Sequence, residues 1–218
     1  MNPLSRRLLA IVAASASSLA VLTGCTREVD NPTPRPANPA APISELQVAD
    51  LLSAKVLGGD GNLFVTAEPE RCSGLAQEVE PPFLEAHHPL ATDGGHWNTD
   101  DGATYVEEMV AVYRFDFDPA RALDTVRKAI QTCTDTALTV TTMSGRIHTF
   151  AVSPAAESPQ GSIGWSLRGA NWNCDNVFVA NHNAAIEITT CGATGGYDVG
   201  ALADDALKRI DALANTTA

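Results

Sequence analysis

From Tyr105 to Phe117 the chain reads YVEEMVAVYRFDF, alternating apolar and polar positions. A period of two predicts a strand, with Met109, Ala111, Tyr113, Phe115 and Phe117 toward the core and Val110, Val112, Arg114 and Asp116 on the other side. Asp118-Pro119 then marks a helix start, Asp as N-cap and Pro at the first helical position. Leu123, Val126, Ile130 and Cys133 follow at steps of three and four, so the buried stripe of this helix carries a cysteine. Ala137 to Met143, Arg146 to Val152 and Ser162 to Arg168 are strand-like, and Ser144-Gly145 joins the first two as a hairpin. A last helix begins at Asp198 with Leu202, Ala206, Ile210 and Leu213 inward. Near the start, Ser44 is placed to cap a helix through residues 45–52 that Gly58-Gly59 ends. Phe83 to Gly102 shows Pro, Gly, Asp and His with little periodicity and reads as a long exposed loop.

The stretch Trp172 to Cys191, WNCDNVFVANHNAAIEITTC, predicts a hairpin. With Asn181-His182-Asn183-Ala184 as the turn, Val177 falls opposite Ile188, Val179 opposite Ile186 and Cys174 opposite Cys191. Asn suits such turns because it tolerates positive φ. Parity then puts Cys174 and Cys191 on a face with Phe178 and Glu187, opposite the Val and Ile face. The expectation is apolar cover on one side and a partly polar surface, with Trp172 beside it, on the other. Together these elements predict an α+β domain over residues 43–215. It has an antiparallel sheet of about five or six strands packed with about two to three helices.

Composition changes the picture at the N-terminus. Arg6 and Arg7 precede an apolar run from Leu8 to Leu22, and Leu22-Thr23-Gly24-Cys25 follows. This has the form of a signal peptide over residues 1–24, and its end resembles a bacterial lipobox with Cys25 as the acylated residue. Thr26 to Pro42 holds five prolines and reads as an extended linker, so residues 25–42 form a spacer of at most about 50 Å. The expected location is the outer face of the cell membrane, reached by export and held by lipid on Cys25. The whole chain of 218 residues is 44% hydrophobic, with a formal net charge of −12. That composition is not that of a disordered chain, and the acidity argues against nucleic acid as a partner. A monomer is expected.

Cys25 apart, Cys72, Cys133, Cys174 and Cys191 remain. In an exported chain they should oxidise in pairs, with three possible connectivities. The hairpin register selects Cys174–Cys191 and leaves Cys72–Cys133. A four-thiolate metal site is disfavoured, because no pair has CxxC spacing.

The order of these features resembles the extracellular sensor domain of the mycobacterial kinase PknH and the lipoproteins that share it. The resemblance runs through ADLL at 49–52, PERCSG at 69–74, FDFDPARAL at 115–123 and WNC…NAAIEITTCG at 172–192, and it covers about Ile43 to Asn215. It implies the same two disulfides, an α+β fold with a broad cleft, and a ligand-sensing role. A kinase domain and membrane helix are missing from this sequence, and a lipidated Cys25 would stand in their place.

Catalytic signatures are missing too: there is no GxSxG, SxxK, HExxH or phosphate-binding glycine loop. His87, His88 and His96, with Asp93, Asp100 and Asp101, are weak metal candidates on the expected loop, without a helical i, i+4 pair to set geometry. No cofactor is expected. Trp97 is the strongest candidate for ligand contact, Trp172 a second, and Trp165 reads as core. Glu107, Glu108, Arg114, His148 and Glu187 are strand charges, mostly on a solvated face. His96, His148 and Glu187 join the tryptophans as ligand-contact candidates. The function expected is non-catalytic sensing of a small molecule, lipid, glycan or protein. The alternative is a module docking a protein or cell-wall polymer, and a hydrolase stands third. A deep apolar pocket would favour small-ligand binding, a flat or loop patch would favour docking, and a buried Ser–His–Asp set or shared carboxylate pair would favour an enzyme.

Overall fold

The computed structural model describes residues 41–216 apart from 60, 62, 100 and 196. The expected signal peptide, Cys25 and residues 26–40 of the expected linker lie outside the described residues. The strands are β1 (Phe64–Glu68), β2 (Ala91–Asn98), β3 (Thr104–Val112), β4 (Ala137–Thr142), β5 (Ile147–Pro154), β6 (Ser162–Arg168), β7 (Asn173–Asn181) and β8 (Ala184–Gly192). They form one eight-stranded sheet in the order β1-β4-β5-β6-β7-β8-β3-β2, every pairing antiparallel. The helices are α1 (Pro82–Glu85), α2 (Pro119–Cys133) and α3 (Val199–Thr216), with 3-10 helices at Glu45–Leu51 and Glu70–Leu75. The fold is α+β as expected, with more strands than the alternation of the sequence shows.

The two extra strands are β1 and β2, and the second overturns the long exposed loop expected over 83–102. Gly94 and Gly95 are buried, and a Cβ on Gly95 would lie 2.3 Å from Val56 Cγ1. The glycines serve close crossing of another segment over a strand, not a turn. Residues 57–58 lie across β2 there, with Leu57 N donating to His96 O at 3.1 Å.

The hairpin of β7 and β8 pairs Val177 with Ile188, Val179 with Ile186 and Cys174 with Cys191, the predicted register. Disulfides join Cys174 to Cys191 and Cys72 to Cys133. The turn chemistry differs from expectation: positive φ falls on His182, and the asparagines bond instead. Asn181 Oδ1 accepts from His182 N at 2.9 Å, while Asn183 accepts from Ile43 N and donates to Ile43 O and Tyr113 O. That stitch fastens the start of the domain to the centre of the sheet.

Both sheet faces are covered. Val106, Val110, Val112, Val177, Val179, Ile186 and Ile188 pack with Leu202, Ala206 and Ile210 of α3. On the opposite face Met109, Ala111, Trp165, Phe178 and both disulfides pack with Phe83, Val126 and Ile130. The partly polar open surface expected beside Cys174, Cys191 and Glu187 is therefore a core layer under α1, α2 and the second 3-10 helix. Central strands buried on both faces lose the alternation of a half-exposed strand. The strand predicted over 105–117 likewise stops at Val112, and Phe115 beyond it is 76% exposed.

The helix starts follow the sequence. Asp118 accepts from Arg121 N at 3.1 Å, and Ser44 with Gln47 forms a capping box. The first helix is 3-10, however, and ends at Leu51, short of the glycines at 58–59. In α2 the buried stripe uses Ala122 in place of Leu123, and in α3 Ala203 and Ala214 lie inward while Leu213 is partly buried.

Candidate functional site

A groove beside a predicted contact residue lies at the Asn98 end of β2. Lys55, Leu57, Trp97, Asn98, Thr99, Asp101, Thr104 and Tyr197 line a volume of about 710 Å³. Trp97 is only 4% exposed, because its strand position turns it into the α3 face, so little of its ring reaches the groove. Leu57, 85% exposed, forms an apolar lip. The 99–104 turn is held by Thr99, which donates to Asp101 Oδ1 at 2.7 Å and accepts from Thr104 N at 3.1 Å. The bond from Thr99, with one from Ala103 N at 3.0 Å, holds the Asp101 carboxyl below the usual carboxylate range. Tyr197 is placed from below: its N–H donates to Asp175 Oδ2 at 3.2 Å, and Asp175 is paired with Arg168 and accepts from Ser166. Two aromatics, an amide, hydroxyls and one charge of each sign can hold a polar molecule in place. Among the described residues that line the groove there is no Ser, Cys or His.

The other predicted residues do not converge on this groove. His96 points away on β2, its ring stacked on Tyr105 and its Nδ1 2.6 Å from Gly59 O. His148 and Trp172 meet at 4.9 Å between ring centroids, beside Phe64 and Phe150. His87 stands edge-on to Tyr113 and Phe117, its pKa lowered by burial and by Arg121, and His88 shares a second groove with it. Among the described residues no three His, Cys, Asp or Glu side chains are grouped to hold a metal. Trp165 is core, its Nε1 donating to Leu75 O at 2.8 Å.

The strand carboxylates depart most from expectation. Glu107, Glu108 and Glu187 are all buried rather than solvated. Glu108 faces α3, pairs with Arg209 at 2.9 Å and accepts from Ser53 N at 2.7 Å. Desolvation still raises its pKa against the opposing pull of Arg209. Glu107 and Glu187 share the other face with the buried Glu78, which lies between the second 3-10 helix and α1. Burial raises Glu78 well above its ordinary value, with Glu107 adding to the effect, and burial alone pushes Glu187 up to about 8. Glu78 and Glu107 are a shared carboxylate pair, the feature expected of an enzyme. Neither residue is among those that line the five grooves of the described residues. Sequence reasoning missed Glu78, Lys55 and Tyr197. The available signal was Glu107-Glu108, two adjacent charges inside an apolar strand, which alternation must send to both faces.

Comparison with known proteins gives a consistent frame. The model of the family described as PknH-like extracellular domain matches residues 37–209. The crystal structure of the extracellular domain of PknH from Mycobacterium tuberculosis superposes with a TM-score of 0.60 at 16% identity, over 80% of this chain and 98% of that one. CalU16 from Micromonospora echinospora gives a TM-score of only 0.25 at 10% identity, over 59% of this chain and 88% of its own. No curated protein matches. At such identities the crystal structure speaks for the shared fold, while the family match spans most of the domain. The paired cysteines, the two-faced antiparallel sheet and this match agree: the chain belongs to the PknH-like extracellular domain family.

Proposed function

We propose that this chain is an exported, lipid-anchored, non-catalytic sensor domain that binds a polar ligand such as a glycan unit in the groove beside Trp97 and Tyr197. Family membership supports the extracellular sensor role, and the lipobox-like segment before Cys25 supports the anchor. Among the described residues no helix is long and apolar enough to cross a membrane. The observation that carries the binding reading is the mixed lining of the groove, two aromatics beside Asn98, Thr99, Thr104, Lys55 and Asp101. The half-buried Tyr197 ring gives contact area to a sugar, and the amide and hydroxyls orient it. The groove is open and mixed, not the deep apolar pocket an acyl chain requires.

The test is mass spectrometry of material co-purified with the protein from native membranes, for wild type and a Tyr197→Ala/Asn98→Ala double variant. Wild type should retain a polar ligand that the variant loses. Equal retention, or a ligand held by neither, overturns the groove. Intact mass tests the anchor: the native protein should begin at Cys25 with added lipid mass, and Cys25→Ser should be released from membranes.

A further inference from the structure

We propose that the groove between the end of α1 and the start of α2 is a second binding site, which takes a phosphate ester on His87, His88, Arg114 and Arg121. These four side chains come from three segments and line a volume of about 490 Å³. The whole chain carries 14 basic residues against 26 acidic ones, with five histidines. Two arginines and two of those histidines on one groove are therefore a local departure from its acidity. The groove shares no lining residue with the one beside Trp97, so this site does not rest on that one.

The supports of the site are fixed by their own bonds. The Tyr113 hydroxyl donates to Leu84 O at 3.0 Å, which ties α1 to the end of β3. Phe117 N donates to Arg114 O at 3.1 Å and closes the turn that carries Arg114, while Asp118 caps α2 by accepting from Arg121 N at 3.1 Å. Tyr113 and Phe117 stack at 4.1 Å between ring centroids, with His87 edge-on to both. Half-buried Phe117, backed by the Tyr113 ring, gives contact area to the organic part of an ester.

The acids among the lining residues are Asp116 and Asp118. Asp118 is engaged at the helix cap. Asp116 meets Arg114 only at 3.8 Å, with both side chains 68% exposed, and an exposed pair of that length is worth little, so a phosphate can displace it. Among the described residues no ion pair reaches Arg121. Burial lowers the pKa of His87, and Arg121 and His88 lower it further against the smaller opposing pull of Asp118, so the field at that ring is positive on balance. Its Nε2 has no hydrogen-bond partner among the described residues. A guanidinium fork grips two oxygens of one group at once, and four side chains from three segments suit a tetrahedral phosphate better than a planar carboxylate.

The test is an NMR titration of the arginine and histidine side-chain signals, on protein made without residues 1–24 and with Cys25→Ser so that no anchor contributes. Glycerol 3-phosphate should bind saturably, at least about tenfold tighter than acetate at equal ionic strength. Arg121→Met, at an exposed position, should bind at least about tenfold more weakly with an unchanged melting temperature. Asp116→Asn removes the competing acid and should bind more tightly, a gain that misfolding cannot imitate. Vesicles of phosphatidylglycerol identify the source. Cosedimentation that Arg121→Met abolishes assigns a lipid headgroup, and binding of glycerol 3-phosphate without cosedimentation assigns a soluble ester. Absence of saturable binding, equal affinity for acetate, or unaltered binding in Arg121→Met overturns the proposal.

Discussion

Asn183 stands in the turn of the β7–β8 hairpin and Glu187 on β8 beyond it, and neither does what its residue type suggests in isolation. Asn183 makes three bonds to backbone groups of Ile43 and Tyr113. Asn183→Ala leaves those groups buried and unpaired, and should lower the unfolding free energy by about 3 kcal/mol in urea titration. A loss near zero would show that the stitch is dispensable. Glu187 gives a pH dependence whose sign follows from burial. Its folded pKa of about 8 lies above the ordinary 4.5. Below the lower value the group is protonated in both states and costs nothing. Between the two only the unfolded chain ionises, so stability falls as pH rises, by about 1.4 kcal/mol per unit, and above the higher value the loss is complete. Glu187→Gln should therefore melt higher than wild type at pH 8.5 and together with it at pH 4.5. Equal melting at both pH values would show that Glu187 is solvated in solution.

At the scale of elements, α3 is tied to the sheet by more than its apolar stripe. Arg209 donates to Leu51 O at 2.8 Å and to Glu108 at 2.9 Å, joining α3, the first 3-10 helix and β3. Removing the cation strands a buried carboxylate, so Arg209→Met should cost about 3–5 kcal/mol although it keeps the apolar stem. Denaturation should show the loss, and adding Glu108→Gln should recover part of it. Failure of the second change to recover any stability would mean that the packing of Arg209, not its charge, matters. The helices were legible because capping and spacing are local: Asp118-Pro119 and the Val126, Ile130, Cys133 steps sit where the periodicity places them. β2 was not legible, since its Gly94-Gly95 imitates a turn and its purpose is set by Val56, which lies far away in sequence.

For the whole molecule, the two disulfides close loops of different length, with sequence separations of 17 and 61. Loop closure predicts a loss of about 3 kcal/mol for Cys174→Ala/Cys191→Ala and about 4 kcal/mol for Cys72→Ala/Cys133→Ala, read from urea midpoints. The reverse order would point to native packing rather than chain entropy as the dominant effect. The hairpin register, the pairing of its cysteines, the helix caps and the α+β class were all determined by sequence, because each depends on neighbours within one turn or one hairpin. The candidate groove was half visible: Trp97 was identified, but its burial and its partners Lys55 and Tyr197 come from separate elements. The second covered face, the burial of three strand glutamates and the Glu78–Glu107 pair were decided only by tertiary structure. Alternation assigns a residue to a side of the sheet. Whether that side meets water or another layer depends on where α1, α2 and the 3-10 helices pack, and that is set by contacts far apart in the chain.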